Sequence, residues 1–253
     1  MYAEERQTDI VGRARSQGRV DVTFLAEEFG VTTETVRRDL TVLERHGLLR
    51  RVHGGAIPVE RLGFEPALAT RDTVMVAEKE RIAKAALAEV PEQGAILLDA
   101  GTTTGRLAEI LPTERELTVV TNSVPIVMTL SHRANLTLLL LGGRVRRTTL
   151  AAVDAWALAA LADTYVDVAF IGTNGISVER GLTTPDPAEA AVKRAMLAAS
   201  RRGVVVADHS KIGADRLARF GSLEDIDMFV TDSGADPLVA DELAAAGPRV
   251  VLA

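Results

Sequence analysis

From residue 77 onward the chain alternates between short, continuous apolar runs and longer segments whose apolar residues recur every three to four positions. The short runs are AILLDA (95–100), LTVVT (117–121), LTLLLLGG (136–143), VDVAFIGT (166–173), GVVVAD (203–208), IDMFVTD (226–232) and RVVLA (249–253). Their lengths and Val/Ile/Leu content predict strands buried on both faces. The periodic segments are AEKERIAKAALAEV (77–90), TTGRLAEIL (103–111), PIVMTLSH (125–132), ALAALADTY (157–165), PAEAAVKRAMLAASRR (187–202) and PLVADELAAAG (237–247). These predict the intervening helices. Alternation of this kind argues an α/β domain with a doubly wound, mostly parallel sheet covered on both faces. No internal repeat is visible.

The first part of the chain follows another rule. In DVTFLAEEFGVTTETVRRDLTVLERHGLLRRVHGGA (21–56), Ala26, Gly30, Val36 and Leu40 have helix-turn-helix spacing. They supply a small residue at a helix crossing, a turn glycine and apolar anchors on a second helix. Thr32 or Thr33 is a fitting N-cap for that helix, which is expected to end near His46 with Gly47 beyond it. At roughly 100° per residue, Val36, Leu40 and Leu43 share an inward stripe. Glu34, Arg38, Thr41 and Arg45 then point outward, with Thr35 and Arg37 on the flanks. Residues 48–55 read as a hairpin with a glycine turn, which makes the module a winged helix. The expected DNA contacts are Thr33, Thr35, Arg37 and Arg38 on the helix and Arg50, Arg51 and His53 on the wing, with arginine serving guanine or phosphate. The predicted organisation is a DNA-binding domain at 1–57, a linker at 58–76 broken by Pro58, Gly63 and Pro66, and an α/β domain at 77–253.

Charge does not by itself announce nucleic acid. The chain has a net charge of −6. Residues 1–57 hold nine arginines and nine acidic residues, so the whole excess lies in the remainder. DNA affinity must come from local segregation of charge, with acids such as Glu4, Glu5, Asp9, Glu27 and Glu28 turned away from the duplex. There are no cysteines, and the four histidines have no metal-ligand spacing, so neither a metal nor another cofactor is expected. The amino-terminal segment lacks the apolar core of a signal peptide, and no run approaches the ~18 apolar residues of a membrane span. LTLLLL is read as a buried strand. A soluble, cytoplasmic protein is expected.

In doubly wound sheets, ligands bind beyond the carboxyl ends of the strands. Those ends here carry Asp99-Ala100-Gly101-Thr102-Thr103-Thr104-Gly105, Thr121-Asn122-Ser123, Gly142-Gly143-Arg144, Gly172-Thr173-Asn174-Gly175 and Asp208-His209-Ser210-Lys211. The first runs straight into a helix, so free amides, a helix dipole and three hydroxyls converge where phosphate could sit. Lys211 is the better candidate for a phosphate-binding cation. Lys193 could also reach the pocket, although pairing with Glu189 on a solvated helix face is the simpler reading. Asp186 and Pro187 open that helix, with Glu189 as part of its start signal. Trp156 is expected in the core or at a subunit contact.

These fragments together resemble the DeoR family of bacterial transcription regulators. The resemblance rests on T-V-R-R-D-L, R-V-H-G-G-A, L-D-A-G-T-T-T, V-V-T-N-S, L-G-G, A-F-I-G-T-N-G-I, the G-L-T-T stretch leading to Lys193, and A-D-H-S-K. It implies a repressor of a sugar-utilisation operon that leaves its operator when a phosphorylated sugar binds. The implied sensor fold is similar to ribose-5-phosphate isomerase and glucosamine-6-phosphate deaminase. Expected effector residues are Asp99, Gly101, Thr102, Thr103, Thr104, Asn122, Ser123, Arg144, Asn174, Lys193 and Lys211. The overall look of the fragments points to fructose 1-phosphate or a related ketose phosphate. A homo-oligomer, dimer or tetramer, is expected to place recognition helices about one helical turn apart or a multiple of it. One departure stands out: Asp154 occupies a position where many members have glycine.

The competing reading is a sugar-phosphate isomerase-like enzyme. Such enzymes need a carboxylate base, supplied in the related isomerases by a D-G-A-D-E-like segment. Here Gly172-Thr173-Asn174-Gly175 stands in its place and cannot abstract a proton. Asp99 and Asp208 are then the available bases, and the expectation is a regulator, not an enzyme.

Overall fold

A computed structural model describes residues 3–45, 48–58, 62 and 65–253. The chain divides into two compact units, residues 1–61 and 62–253.

The amino-terminal unit contains α1 (Ala3–Gln17), β1 (Val20–Asp21), α2 (Val22–Phe29), α3 (Thr33–Arg45), β2 (Leu49–Val52) and β3 (Gly55–Pro58). Helix α2 starts where the Asp21 carboxylate accepts the amides of Thr23 at 2.8 Å and Phe24 at 3.1 Å. It stops at Gly30, whose φ of 64° no β-branched residue adopts readily. Thr32 caps α3 by accepting the Thr35 amide at 3.1 Å. Ala26, Val36, Leu40 and Leu43 are buried with Ile10, Leu25, Leu49 and Ala56 in one cluster, as the helix-turn-helix spacing requires. The expected helix end at His46 and Gly47 lies outside the described residues.

The strands form an antiparallel sheet in the order β1-β3-β2. The turn falls on His53-Gly54, because Val52 pairs with Gly55. Gly55 has a different task from the turn role that the pattern suggested. A Cβ there would lie 1.9 Å from the Val20 carbonyl oxygen, so glycine lets β1 close on β3.

The carboxy-terminal unit begins with α4 (Leu68–Asp72) and α5 (Val76–Ala86), and continues through β4 (Gly94–Leu98), α6 (Thr102–Glu109), β5 (Leu117–Thr121) and α7 (Val124–Leu130). Next come β6 (Leu136–Leu140), β7 (Arg144–Val145), β8 (Ala152–Val153), α8 (Ala155–Ala162) and β9 (Val166–Gly172). It closes with β10 (Gly175–Ser177), β11 (Gly181–Thr184), α9 (Pro187–Ala198), β12 (Ser200–Val206), β13 (Ala218–Gly221), β14 (Met228–Thr231), α10 (Pro237–Ala245) and β15 (Arg249–Leu252).

Seven strands form a parallel sheet in the order β15-β14-β12-β9-β4-β5-β6. Successive strand residues point to opposite faces. Ile96 and Leu98 therefore pack with Ile82, Leu107 and Ile126, while Leu97 packs on the other face with Leu161, Val192 and Met196. The chain winds from β4 through β5 to β6 in one direction and from β9 to β15 in the other. The switch point between β4 and β9 is where such a sheet opens a crevice.

Several expectations need correction. Residues 200–202 are strand, not helix, because Ser200 and Arg202 pair in register with Val166 and Val168. LTLLLL is not fully buried: β6 is a sheet edge, and Leu139 and Leu140 are each 50% exposed. Trp156 is 77% exposed, which excludes the core. The stretch expected as linker contains α4 and the start of α5. Two small antiparallel sheets, β10-β11-β13 and β7-β8, gave no periodic signal because their strands are too short.

Candidate functional site

On the amino-terminal unit, α3 buries Val36, Asp39, Leu40 and Leu43 and leaves Arg37 and Arg38 exposed. Thr33 and Thr35 are partly exposed at its first turn. Arg50, Arg51 and His53 are exposed on β2 and the turn after it. The wing is braced against α3: the Arg51 guanidinium donates to Thr41 Oγ1 at 3.1 Å, and the Arg51 amide donates to the Glu44 carboxylate at 2.9 Å. Arg37 lies 3.6 Å from Glu34, whereas Arg38 and Arg50 have no ion pair among the described residues. Asp39 was missed by the sequence reading. It is buried and accepts Arg6 Nε at 2.6 Å and Gln7 Nε2 at 2.9 Å, tying α1 to α3 and withdrawing an acid from the polar face.

In the carboxy-terminal unit a cleft of about 390 Å³ opens beyond β4 and β5. Its walls include Gly101, Thr102 and Gly105 of the α6 start, Ser123 and Thr129 around α7, and Leu68 and Asp72 of α4, with Arg147 facing in. Gly101 precedes α6, and the first amides of that helix have no acceptor of their own within it. Helix-start amides of this kind, with a cation beside them such as Arg147, for which no ion pair occurs among the described residues, are donors of the sort that suit an anion.

The expected effector residues divide into two sets. Gly101, Thr102 and Ser123 line the cleft. The others are not among the lining residues of the cleft, and several of them carry hydrogen bonds that shape the strand ends. Thr103 is buried, and the Thr104 hydroxyl donates to Gly101 O at 3.1 Å. Both ends of the Asn122 amide are used, accepting the Ala100 amide at 2.9 Å and donating to Ala152 O at 3.3 Å. Arg144 is bonded to Asp154 at 2.6 Å on an exposed edge. Lys211 is half-buried, with Ser210 Oγ at 2.9 Å and Asp208 at 3.8 Å.

Lys193 does not pair with Glu189 on a solvated face, which corrects the simpler reading. Both are buried. Lys193 Nζ donates to the Asp99 carboxylate and to Gly172 O, the latter at 2.9 Å. Asp99 also accepts the Gly172 amide at 3.0 Å, so this pair staples β4 to β9 at the switch point. Burial raises the Asp99 pKa, and the neighbouring Lys193 charge opposes that rise. Glu189 instead meets Arg146 and Thr149. Asp154 has φ 76° and ψ −165°, a region that favours glycine and accounts for the glycine expected there.

Around Asn174 lies a charge cluster that the sequence did not reveal. Its amide nitrogen donates to Glu65 at 3.0 Å and its amide oxygen accepts the Thr184 hydroxyl at 3.0 Å. Glu65 is paired with Arg146 and Arg71. Among the described residues no group of three or more side chains could hold a metal ion, and no helix is long and apolar enough to cross a membrane.

A winged helix-turn-helix joined in one chain to a separate doubly wound α/β unit defines a one-component transcription regulator. The amino-terminal unit matches the DeoR-like helix-turn-helix domain over residues 6–61, and residues 74–233 match the DeoR C-terminal sensor domain. The chain belongs to the DeoR family and is a DNA-binding transcriptional regulator, not an enzyme. It is 38% identical to the HTH-type transcriptional regulator GlpR of Haloferax volcanii, over 99% of this chain and 98% of that one. It is 30% identical to the glycerol-3-phosphate regulon repressor of Escherichia coli, over 92% of each. Among solved structures, ribose 5-phosphate isomerase A from Methanocaldococcus jannaschii aligns over 55% of each chain at 18% identity with a TM-score of 0.41. The sorbitol operon regulator SorC from Klebsiella pneumoniae aligns over 81% of this chain and 89% of its own at 12% identity, with a TM-score of 0.39.

Proposed function

We propose that this regulator represses a sugar-utilisation operon and leaves its operator when a phosphorylated sugar binds the carboxy-terminal unit. The observation that carries the reading is the cleft at the α6 start, where unpaired first-turn amides, Thr102, Ser123 and Arg147 face one space. Gly101 and Thr102 hold the phosphoryl group, with Arg147 and Lys211 as cations. Asp99, Thr103, Thr104, Asn122 and Lys193 fix the shape of the site, and Arg144 and Asn174 border it. Operator DNA is held by Thr33, Thr35, Arg37, Arg38, Arg50, Arg51 and His53.

The division into a DNA reader (1–57), a connecting stretch (58–76) and a sensor (77–253) assigns these two tasks, with Ala67, Leu68, Ala69 and Asp72 serving the sensor as a wall of the cleft. A homo-oligomer, dimer or tetramer, is supported by exposed Leu139 and Leu140 on the edge strand and by exposed Trp156. The protein acts in the cytoplasm. Fructose 1-phosphate or a related ketose phosphate heads the effector candidates. A relative named for the glycerol 3-phosphate regulon adds that smaller phosphate ester.

The test is fluorescence anisotropy of a labelled fragment from upstream of its gene, titrated with protein and then with phosphate esters including these two. One ester releases the DNA while its unphosphorylated parent does not. Release by neither, or by both equally, refutes the proposal.

A further inference from the structure

Glu65 has 3% of its side chain exposed. One carboxylate oxygen accepts Asn174 Nδ2 at 3.0 Å and lies 3.4 Å from Arg71 Nη1. The other accepts Arg146 Nη1 at 3.0 Å. Arg146 also faces Asp186, at 3.1 Å, and Glu189. The cluster therefore sets three carboxylates against two guanidinium groups, a surplus of negative charge in a largely buried place.

Arg71 is incompletely used. Its Nε and Nη2 are buried and have no hydrogen-bond partner among the described residues. These two nitrogens form the side-on edge of the guanidinium, the fork that fits a carboxylate or phosphoryl group with two parallel bonds. Buried charged donors left unmade are costly, so this edge is built for an acceptor.

The backbone around Arg71 is held in place, and its side chain is held by the Glu65 carboxylate alone among the described residues. Leu68 N donates to Thr148 O at 2.9 Å, Asp72 pairs with Arg106 at 3.0 Å, and Lys79 Nζ donates to the carbonyls of Arg71 and Val74. Leu68, Ala69 and Asp72 of the same short helix already wall the cleft. Arg71 itself is not among the lining residues, its guanidinium lying against Glu65, but it is three positions from Leu68, and residues so spaced share a helix face.

We propose that Arg71 is a phosphoryl-binding residue of the cleft, held in reserve by the Glu65 carboxylate. An oxyanion at the α6 start draws the side-on edge of Arg71 onto itself. Three carboxylates then face Arg146 alone, and Glu65, the member on the stretch that runs back towards the DNA-binding unit, is expelled. Ligand capture thereby frees the connecting segment. The inference rests on the reading that the cleft takes a phosphorylated ligand, and it adds a specific residue and a release step to that reading.

The test uses the full-length protein and inorganic phosphate as the probe, with calorimetric titration and thermal shift as readouts. Glu65→Gln removes the competing charge and keeps a hydrogen-bonding side chain; phosphate binding tightens about tenfold. Arg71→Gln weakens it about tenfold, Arg71→Lys loses most of the same increment, and the double variant E65Q/R71Q binds as R71Q does. Unchanged phosphate binding in R71Q, or E65Q binding no tighter than the parent, overturns the proposal. Should E65Q fail to fold, the comparison of R71Q and R71K with the parent decides alone. The functional reading fails separately, when no phosphorylated sugar releases the operator.

Discussion

Lys193→Met removes one ammonium group from the interior and leaves the aliphatic stem. In the native protein that group bonds to Asp99 and to Gly172 O, with Phe220 5.7 Å beneath it. Without it the Asp99 carboxylate stays buried with the Gly172 amide as its donor. Breaking a buried pair from one side costs about 3–5 kcal/mol. For a unit of this size each kcal/mol lowers the melting temperature by roughly 2–4 °C, so a drop of ~10 °C is expected. The loss depends on pH in a definite direction. Burial holds the Asp99 pKa above its ordinary value, and removing Lys193 takes away the attraction that opposed this. The folded variant then keeps its proton where the unfolded chain has lost it. Stability of K193M falls as pH rises above the ordinary aspartate range and recovers towards acid. Adding Asp99→Asn to K193M removes the stranded charge and restores most of the stability. Urea unfolding followed by circular dichroism at pH 5 and pH 8 reads all of this. A K193M loss below about 1 kcal/mol, or a double variant no better than the single, refutes the assignment of this pair as the staple of the switch point.

Arg38→Ala weakens operator binding by about 1–3 kcal/mol and lowers its salt dependence, leaving ligand-induced thermal stabilisation unchanged; anisotropy at several salt concentrations checks it. Asp154→Gly relieves backbone strain of about 1–3 kcal/mol, offset by glycine's flexibility and by loss of the exposed Arg144 pair, for a net gain of about 1 kcal/mol. Asp154→Ala keeps the strain, loses the pair and destabilises, so equal unfolding midpoints for the two variants contradict the strain argument. Lys79 has its pKa lowered by burial to about 8 against an ordinary 10.5, so the unfolded chain binds the extra proton between those values. Its contribution to stability therefore rises with pH from about 8 to 10.5, and Lys79→Met lacks that rise in melting curves taken across the window.

The elements legible in the sequence were those with a long-range physical signature. Strands such as VDVAF and helices such as α5 declare themselves because burial on two faces or one stripe imposes a period on many residues. The helix-turn-helix was legible because Gly30 and the anchors Val36 and Leu40 answer to fixed geometry. Helix α4 was hidden because its five residues, Leu68–Asp72, cannot display a period. The Glu65, Arg71 and Arg146 cluster was hidden for another reason: sheet topology, not spacing, brings residues 81 positions apart within hydrogen-bonding distance. Lys193 shows the limit of local rules. The i,i+4 relation to Glu189 is real along α9, but packing of α9 on the sheet brings Lys193 onto Asp99 at the end of β4. Hydroxyl and amide groups at strand ends were read as ligand contacts, and the structure spends Thr104 and Asn122 on shaping the loop that carries Gly101 and Thr102.

In the proposed mechanism an oxyanion at the α6 start governs the grip of α3 on DNA. Its most direct measurement is operator anisotropy of the parent and of Arg147→Gln against increasing sugar phosphate. The parent is expected to release the operator, whereas R147Q binds it normally but needs at least about tenfold more effector for release. Release at the same concentration in both, or indifference of the parent to every phosphate ester, contradicts it.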